Sequence, residues 1–159
     1  MVDLRFGLGF DVHRRDEARP LSLGGLRWDG EPGLAGHSDG DVVCHALADA
    51  LLGAAGLGDL GGYFPDSDPG LAGIAGADLL RQAMSLVRDA GFDPDHCDLT
   101  VVAERPAVSG RRDEIRRVLG EAIGLEAGRV SVKATRPEGL GLSGDGAACL
   151  AVAVVRVRT

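Results

Sequence analysis

Two side chains that can bind a divalent cation lie close together near the start of the chain. In the segment GFDVH, Asp11 and His13 are two positions apart. Side chains two apart on an extended strand point to the same face, so both would project from one strand. The pair alone has two interpretations: a solvated strand end, or half of a metal site that needs a third ligand from elsewhere.

A candidate third ligand lies in the segment GHSDGDVVCHALAD. Apolar residues recur there at intervals of three and four, which predicts a helix capped by Ser38 or Asp39 and ended by Gly56. His45 belongs to a polar stripe on this helix, at every fourth position from Asp41 to Asp49. A lone histidine at such a place has a simpler interpretation, as a core residue with satisfied hydrogen bonds.

Taken together, the three residues favour a metal centre. One carboxylate and two imidazoles, from Asp11, His13 and His45, would leave tetrahedral zinc with an open fourth position, which is typical of catalytic sites. Asp49 is then a candidate acceptor for the second ring N–H of a ligating histidine. This hypothesis requires the strand and the helix to meet in the fold.

The elements that must position these residues predict an α+β fold. We expect a single-domain α/β sandwich over residues 1–159, with a mixed sheet and helices on one face. The other face is partly apolar, so we expect self-association to cover it. The predicted strands are 4–12, a hairpin over 21–28 with its turn at Gly24-Gly25, 97–104, 129–135 and 146–157; two further helices are predicted at 76–91 and 110–124, and a loop at 58–70.

Composition limits the classes of partner. The net charge of −7 argues against a protein that binds the nucleic-acid backbone, and an anionic substrate would need local positive charge. Three widely spaced cysteines without a CxxC pair indicate reduced thiols in a cytoplasmic protein. The N-terminus lacks the layout of a signal peptide and the longest apolar run is too short for a bilayer, so no membrane partner is expected.

Glycine is unusually frequent, with 25 residues. Many of them flank acidic residues or histidine, which predicts close approach of the backbone to another group. A biased genome is the competing explanation, because Lys133 is the only lysine in a chain rich in arginine.

Longer motifs carry a specific resemblance. The segments GFDVH, GHSDGDVVCHALADALLGAAGLGDLGGYFPDSDP, VKAT and EGLGLSG resemble the 2-C-methyl-D-erythritol 2,4-cyclodiphosphate synthase family over essentially the whole chain. The resemblance implies metal-dependent cyclisation of 4-diphosphocytidyl-2-C-methyl-D-erythritol 2-phosphate, with release of CMP, in non-mevalonate isoprenoid biosynthesis. It also implies a homotrimer in which neighbouring subunits share each active site.

The resemblance assigns roles to individual residues. It implies Zn²⁺ at Asp11, His13 and His45, and Mg²⁺ or Mn²⁺ held with the substrate phosphates by Glu138; these four form the catalytic set. The implied substrate contacts are His37 and Ser38 at the start of the helix, Asp59, Gly61, Phe64 and Asp66 around the methylerythritol unit, and Ala103, Pro106, Ala134, Thr135 and Arg136 around the cytidine and its phosphates. Ser38 as a helix cap and Asp66 as a turn residue are the structural alternatives.

The chain departs from the family pattern in two places near the nucleotide. Ala107 stands where the family usually has lysine, and Thr135-Arg136-Pro137 replaces a run of three threonines. Arg105, Arg111 and Arg136 are candidates to restore the lost positive charge. These changes bear on nucleotide affinity and leave the metal chemistry intact.

A third departure concerns regulation. The family motif TGRGEG is shortened to SGDG at residues 143–146, which deletes an arginine. In the family that arginine lines an axial cavity able to bind an isoprenoid diphosphate, so we predict that this chain lacks that ligand site.

Three other functions compete with cyclisation. The metal set alone would equally suit a zinc phosphohydrolase, and Ala107 makes a catalytically weakened, metal-binding trimeric scaffold conceivable. The glycine motifs at 56–61 and 139–144 match a dinucleotide-binding pattern but lack the strand–helix–strand context that a nucleotide-dependent oxidoreductase needs.

Overall fold

One five-stranded mixed sheet, with helices packed on one face, organises the chain in a computed structural model that describes residues 3–141 and 145–158. The strand order is β2-β1-β5-β3-β4; β3 and β4 run parallel and the other neighbours antiparallel. The strands are β1 (Leu4–Leu23), β2 (Leu26–Leu34), β3 (Phe92–Ala103), β4 (Val130–Thr135) and β5 (Gly146–Val157). The α-helices are α1 (Val42–Ala54), α2 (Leu60–Tyr63), α3 (Gly76–Asp89) and α4 (Arg112–Ile123), with 3-10 turns at Pro69–Leu71, Val108–Arg111 and Ala127–Arg129.

Glycines on the inner face of β1 bring α1 into direct contact with the strand. A Cβ added to Gly7 would lie 2.0 Å from Ala50 O, and one added to Gly9 would lie 1.9 Å from Ala46 O. Only a residue without a side chain fits at such a distance. Close backbone approach therefore accounts for these two glycines, and it places the first turn of α1 beside the next inward residues of β1.

The turn between β1 and β2 is the one predicted, and it is tied to α1 by a buried carboxylate. Gly24 and Gly25 have φ of +68° and +74°, which suits a tight hairpin turn. Asp41 is fully buried, and its carboxylate accepts hydrogen bonds from Gly24 N at 2.9 Å and Gly25 N at 2.6 Å. It also accepts from Val43 N at 3.0 Å and Cys44 N, so Asp41 caps α1.

The caps predicted for α1, Ser38 or Asp39, were therefore wrong, and several predicted bounds of helices and strands were wrong as well. β1 is continuous from residue 4 to 23, where two separate strands were predicted, and the predicted loop at 58–70 contains α2. β3 begins at Phe92 rather than at Cys97, because β5 is long enough to pair with it from Val157 onwards. The helices predicted at 76–91 and 110–124 and the strand at 146–157 are confirmed to within about two residues.

The sheet face opposite the helices is apolar and exposed in the single chain, as predicted. Phe6 and Leu8 are each 69% exposed. The other large apolar residues exposed on this face are Leu4, Phe10 and Val12 of β1 and Leu150 and Val152 of β5. Exposed alternate positions on neighbouring strands form a continuous apolar surface, which we call the outer face.

The remaining predictions about composition concern thiols and membranes. Cys44, Cys97 and Cys149 are free and buried, as the spacing predicts. No helix within residues 3–141 and 145–158 is long and apolar enough to cross a bilayer.

Candidate metal and substrate site

Asp11, His13 and His45 meet at the point where β1 passes the first turn of α1. Asp11 Oδ2 lies 3.0 Å from His13 Nε2 and 3.1 Å from His45 Nδ1. The three ligand atoms all lie within 4.8 Å of one another. Asp11 and His13 continue the inward-facing row of β1 that contains Gly7 and Gly9, so the close approach of α1 brings His45 to them. The predicted meeting of strand and helix is confirmed.

The charges of Asp11, His13 and His45, which we call the triad, suit a divalent cation. Burial disfavours ionisation of Asp11, but hydrogen bonds from His13 and His45 outweigh it and hold the Asp11 pKa well below its usual range. Burial also opposes protonation of His45, yet the hydrogen bond and charge of Asp11 raise the His45 pKa above its ordinary value. Positive charge is thus stabilised between these side chains, and the oxygen and two nitrogens are ligands that zinc accepts.

The second ring nitrogen of His45 faces Ser38. Nε2 lies 3.0 Å from Ser38 Oγ, which also accepts from Gly40 N at 3.2 Å. With a metal ion on Nδ1, the remaining ring proton would be on Nε2, where it would be donated to Ser38 Oγ. The prediction that Asp49 accepts the second ring N–H of a ligating histidine was wrong: Asp49 Oδ1 accepts from Leu60 N at 2.7 Å, at the start of α2.

A cavity of about 250 Å³ opens beside the triad, and we call it the metal cavity. Most of the substrate contacts predicted at the start of α1 and for the methylerythritol unit line it. They are His37, Ser38, Gly61, Phe64 and Asp66, next to Asp11, His13 and His45. Asp59 is not a lining residue; its carboxylate caps α2 by accepting from Gly62 N at 3.0 Å.

Sequence reasoning missed an apolar wall of the metal cavity, formed by Leu71, Ile74 and Leu79. The signal available was the short apolar run that follows the segment PDSDPG. His37 is fixed beside this wall, because its Nε2 lies 2.9 Å from Asp68 O and its own carbonyl accepts from Gly73 N at 2.9 Å.

A second cavity, of about 150 Å³, lies at the ends of β3 and β4, and we call it the nucleotide cavity. All five residues predicted to contact the cytidine and its phosphates line it: Ala103, Pro106, Ala134, Thr135 and Arg136. Ala107 lines it too, together with Arg112, which sequence reasoning did not single out. The structure thus groups most of the predicted site residues around two cavities.

Of the three arginines proposed to replace the family lysine, Arg136 alone lines the nucleotide cavity. Arg111 pairs with Glu114 at 2.8 Å and lies over the ring of Trp28, 4.9 Å from its centroid. Arg105 lies 3.9 Å from Glu31. Arg111 is therefore engaged elsewhere in this chain, whereas the exposed side chain of Arg105 makes no hydrogen bond to a residue that the structure describes.

Two predictions concern residues outside these groups. Glu138 is exposed, lines neither cavity and adopts φ of 52°. Its role as a ligand of a second ion remains a prediction. The shortened motif at 143–146 includes residues 143 and 144, which lie outside the described residues.

Comparison with known proteins gives a consistent result. The sequence profile of the YgbB family matches residues 4–158. The 2-C-methyl-D-erythritol 2,4-cyclodiphosphate synthase of Symbiobacterium thermophilum is 49% identical over 154 residues, which are 96% of this chain and 98% of that protein. The bifunctional enzyme IspD/IspF of Anaeromyxobacter sp. is 50% identical over 155 residues, 96% of this chain, but this chain spans only 40% of its length.

The fold is similar as well. A solved 2C-methyl-D-erythritol-2,4-cyclodiphosphate synthase bound to CDP matches with a TM-score of 0.87 and 38% identity. The match covers 95% of this chain and 99% of that one.

Proposed function

The chain belongs to the YgbB family of 2-C-methyl-D-erythritol 2,4-cyclodiphosphate synthases, lyases of isoprenoid biosynthesis, and we propose how its own residues carry out that cyclisation. The substrate is 4-diphosphocytidyl-2-C-methyl-D-erythritol 2-phosphate. An oxygen of its 2-phosphate attacks the β-phosphorus, and the bond from that phosphorus to the CMP oxygen breaks. The observation that supports this function best is the convergence of Asp11, His13 and His45 beside the metal cavity.

We propose that Asp11, His13 and His45 bind Zn²⁺. When bound, the ion supplies positive charge that attracts phosphate oxygens and offsets the repulsion between two anionic groups. Ser38 fixes the ring of His45 through Nε2, so that Nδ1 stays directed at the ligand position. Because attacker and leaving group belong to one molecule, the chain needs no nucleophile of its own, and its task is to hold a folded substrate in line.

The remaining residues of the metal cavity suit the methylerythritol unit. His37 and Ser38 precede α1, and Gly61 offers backbone beside Phe64 and Asp66. The apolar wall of Leu71, Ile74 and Leu79 reduces the water around the reacting phosphates, which strengthens the electrostatic contacts made there.

We assign a second ion, Mg²⁺ or Mn²⁺, to Glu138 together with the substrate phosphates. Glu138 lies three positions after Thr135 and two after Arg136, which both line the nucleotide cavity, and its side chain is exposed. An exposed carboxylate at this place is able to share an ion with phosphates, since Mg²⁺ in proteins is usually held by one or two carboxylates plus substrate oxygens.

A homotrimer with shared active sites accounts for two features of the single chain. The metal cavity and the nucleotide cavity are separate, although one substrate must reach both. The outer face, with Phe6 and Leu8 at its centre, is exposed and apolar. Packing three copies around this face would cover it and would allow the metal cavity of one subunit to meet the nucleotide cavity of its neighbour.

Arg136 is the residue we assign to the charge that Ala107 lacks, because it alone of the three predicted arginines lines the nucleotide cavity; Arg112 lines the cavity as well and adds a second positive charge there. The location we assign is the cytoplasm, supported by three cysteines that are free and buried.

Product analysis tests the function. Purified protein is incubated with the substrate and Mg²⁺, and the products are followed by ³¹P NMR. Cyclisation predicts equal amounts of CMP and a cyclic diphosphate, both abolished in Asp11→Asn. Inorganic phosphate would instead indicate a zinc phosphohydrolase, and unchanged substrate would indicate a scaffold; either result contradicts the proposal.

A further inference from the structure

An irregularity in β1 directs Arg19 toward the site. Asp16 pairs with Gly33 of β2, and Pro20 pairs with Pro32, so β1 advances four residues while β2 advances one. Such bulges turn a side chain out of its regular direction and are frequent beside active sites. The guanidinium of Arg19, within this bulge, reaches the segment that connects β2 to α1.

Arg19 binds this segment on both sides of His37. Its Nη1 donates to Gly36 O and its Nη2 donates to Ser38 O. The carbonyl of His37 is bound separately by Gly73 N, at 2.9 Å. Alternate carbonyls are thus bound by different partners, as in an extended chain.

Backbone hydrogen bonds also hold the ends of this segment: Ala35 N donates to Arg14 O at 2.9 Å, and Asp39 N donates to Ile74 O at 3.0 Å. Residues 35–40 form neither helix nor strand. Within residues 3–141 and 145–158, Arg19 is the one side chain that donates to backbone carbonyls of this segment. A charged donor that makes two hydrogen bonds is among the stronger restraints available to a loop.

The segment of residues 35–40 positions Ser38. Ser38 Oγ lies 3.0 Å from His45 Nε2, and the Ser38 carbonyl is one of the two that Arg19 binds. We propose that Arg19 is a positioning residue, which fixes the backbone of Ser38 and through it the ring orientation of His45. Its effect on metal affinity needs no assumption about the reaction; its effect on substrate, through His37 and Ser38, rests on the proposed function.

The two carbonyls explain why the residue is arginine. Gly36 O and Ser38 O are reached by two nitrogens of one planar guanidinium. A lysine ammonium keeps the charge but lacks this fixed fork. Arg19→Lys should therefore retain part of the zinc affinity that Arg19 provides, and Arg19→Met should retain none of it.

A double-mutant cycle on zinc affinity tests the proposal. Zinc dissociation constants of wild type, Arg19→Met, Ser38→Ala and the double variant are measured by competition with a chelator at fixed pH. Loss of a group that orients a ligand typically weakens metal binding ~10- to 100-fold, so each single variant should bind zinc at least ~10-fold more weakly. If Arg19 acts through Ser38, the double variant should bind zinc no more weakly than the more affected of the two single variants.

Two outcomes would overturn the proposal: wild-type zinc affinity in Arg19→Met, or losses that multiply in the double variant. If Arg19→Met does not fold, Arg19→Lys decides, since wild-type zinc affinity in that variant would equally contradict a role for the fork. Arg27→Met is the matched control, because Arg27 is exposed and its side chain makes no hydrogen bond to any residue that the structure describes.

Substrate kinetics give an independent measurement. With substrate, Arg19→Met should raise KM more than it lowers kcat. A wild type that turns over no substrate would refute the proposed function, whereas the zinc affinities would still decide the role of Arg19.

Discussion

His45 Nδ1 lies 3.1 Å from Asp11 Oδ2, although 34 residues separate the two in the chain. The contact exists because Gly7 and Gly9 allow α1 to pack directly on β1. The packing of α1 on β1 therefore also brings the three candidate metal ligands together.

Asp11→Asn should remove the metal while leaving the fold in place. The amide keeps the shape of the side chain but loses the charge shared with both histidines, so we expect zinc affinity to fall ~100-fold or more. Elemental analysis after dialysis against a weak chelator measures the zinc that each variant retains. Asp49→Asn is the control, since Asp49 bonds Leu60 N rather than a triad residue; equal zinc loss in both variants would contradict the assigned ligands.

Gly9→Ala should destabilise the protein and Gly53→Ala should stabilise it. The added methyl at Gly9 would lie 1.9 Å from Ala46 O, whereas nothing lies within 4 Å at Gly53, inside α1. Relief of the clash at Gly9 requires α1 to shift, at a cost of ~3 kcal/mol or more in unfolding free energy. Alanine at Gly53 should add up to ~1 kcal/mol through helix propensity. Urea unfolding measures both, and a neutral Gly9→Ala would refute the close packing.

Asp41→Ala should be among the most damaging changes outside the triad. It removes the cap of α1 and leaves Gly24 N and Gly25 N without their acceptor. We expect a loss of ~3 to 5 kcal/mol in unfolding free energy. The same substitution at Asp59, the exposed cap of the four-residue α2, should cost less than ~1 kcal/mol. Similar losses at both positions in urea unfolding would disprove the special role of Asp41.

Stability should fall at alkaline pH because of the buried thiols. Burial, aided by the charge of Asp98, raises the pKa of Cys97 from 9.0 to about 12. As pH rises above 9.0 the unfolded chain releases this proton and the folded chain does not, so unfolding becomes more favourable between pH 9.0 and about 12.

Cys97→Ala isolates this contribution. Between pH 8 and pH 10, the unfolding free energy of wild type should fall by ~1.4 kcal/mol more than that of Cys97→Ala. This is the difference expected for one proton that the unfolded chain alone releases, over the one pH unit above its unfolded pKa. Parallel pH profiles for the two proteins would show that Cys97 ionises as easily in the folded state.

Sequence reasoning found the triad because its members obey local rules. Asp11 and His13 follow the two-residue period of a strand, and His45 lies on a helix with a clear apolar pattern. Asp49 was predicted to accept the second ring N–H of a ligating histidine, but at His45 the loop before α1 places Ser38 beside Nε2 instead. Loop positions depend on tertiary contacts that spacing does not encode.

The same distinction applies to the fold. The glycine turn at Gly24-Gly25 was predictable from its residue types. The cap at Asp41 was not, because that carboxylate also serves this turn, which is distant in sequence. Arg111 was a plausible phosphate ligand by sequence, yet it lies over Trp28, a contact that no local pattern reveals.

The central claim is that one carboxylate and two imidazoles hold a single divalent cation. X-ray absorption at the zinc edge of the loaded protein tests it directly. The ligands predict two imidazole nitrogens and one carboxylate oxygen at ~2.0 to 2.2 Å, a fourth oxygen or nitrogen neighbour, and one imidazole fewer in His45→Ala. A sulfur neighbour at ~2.3 Å, or a spectrum that His45→Ala leaves unchanged, would contradict it.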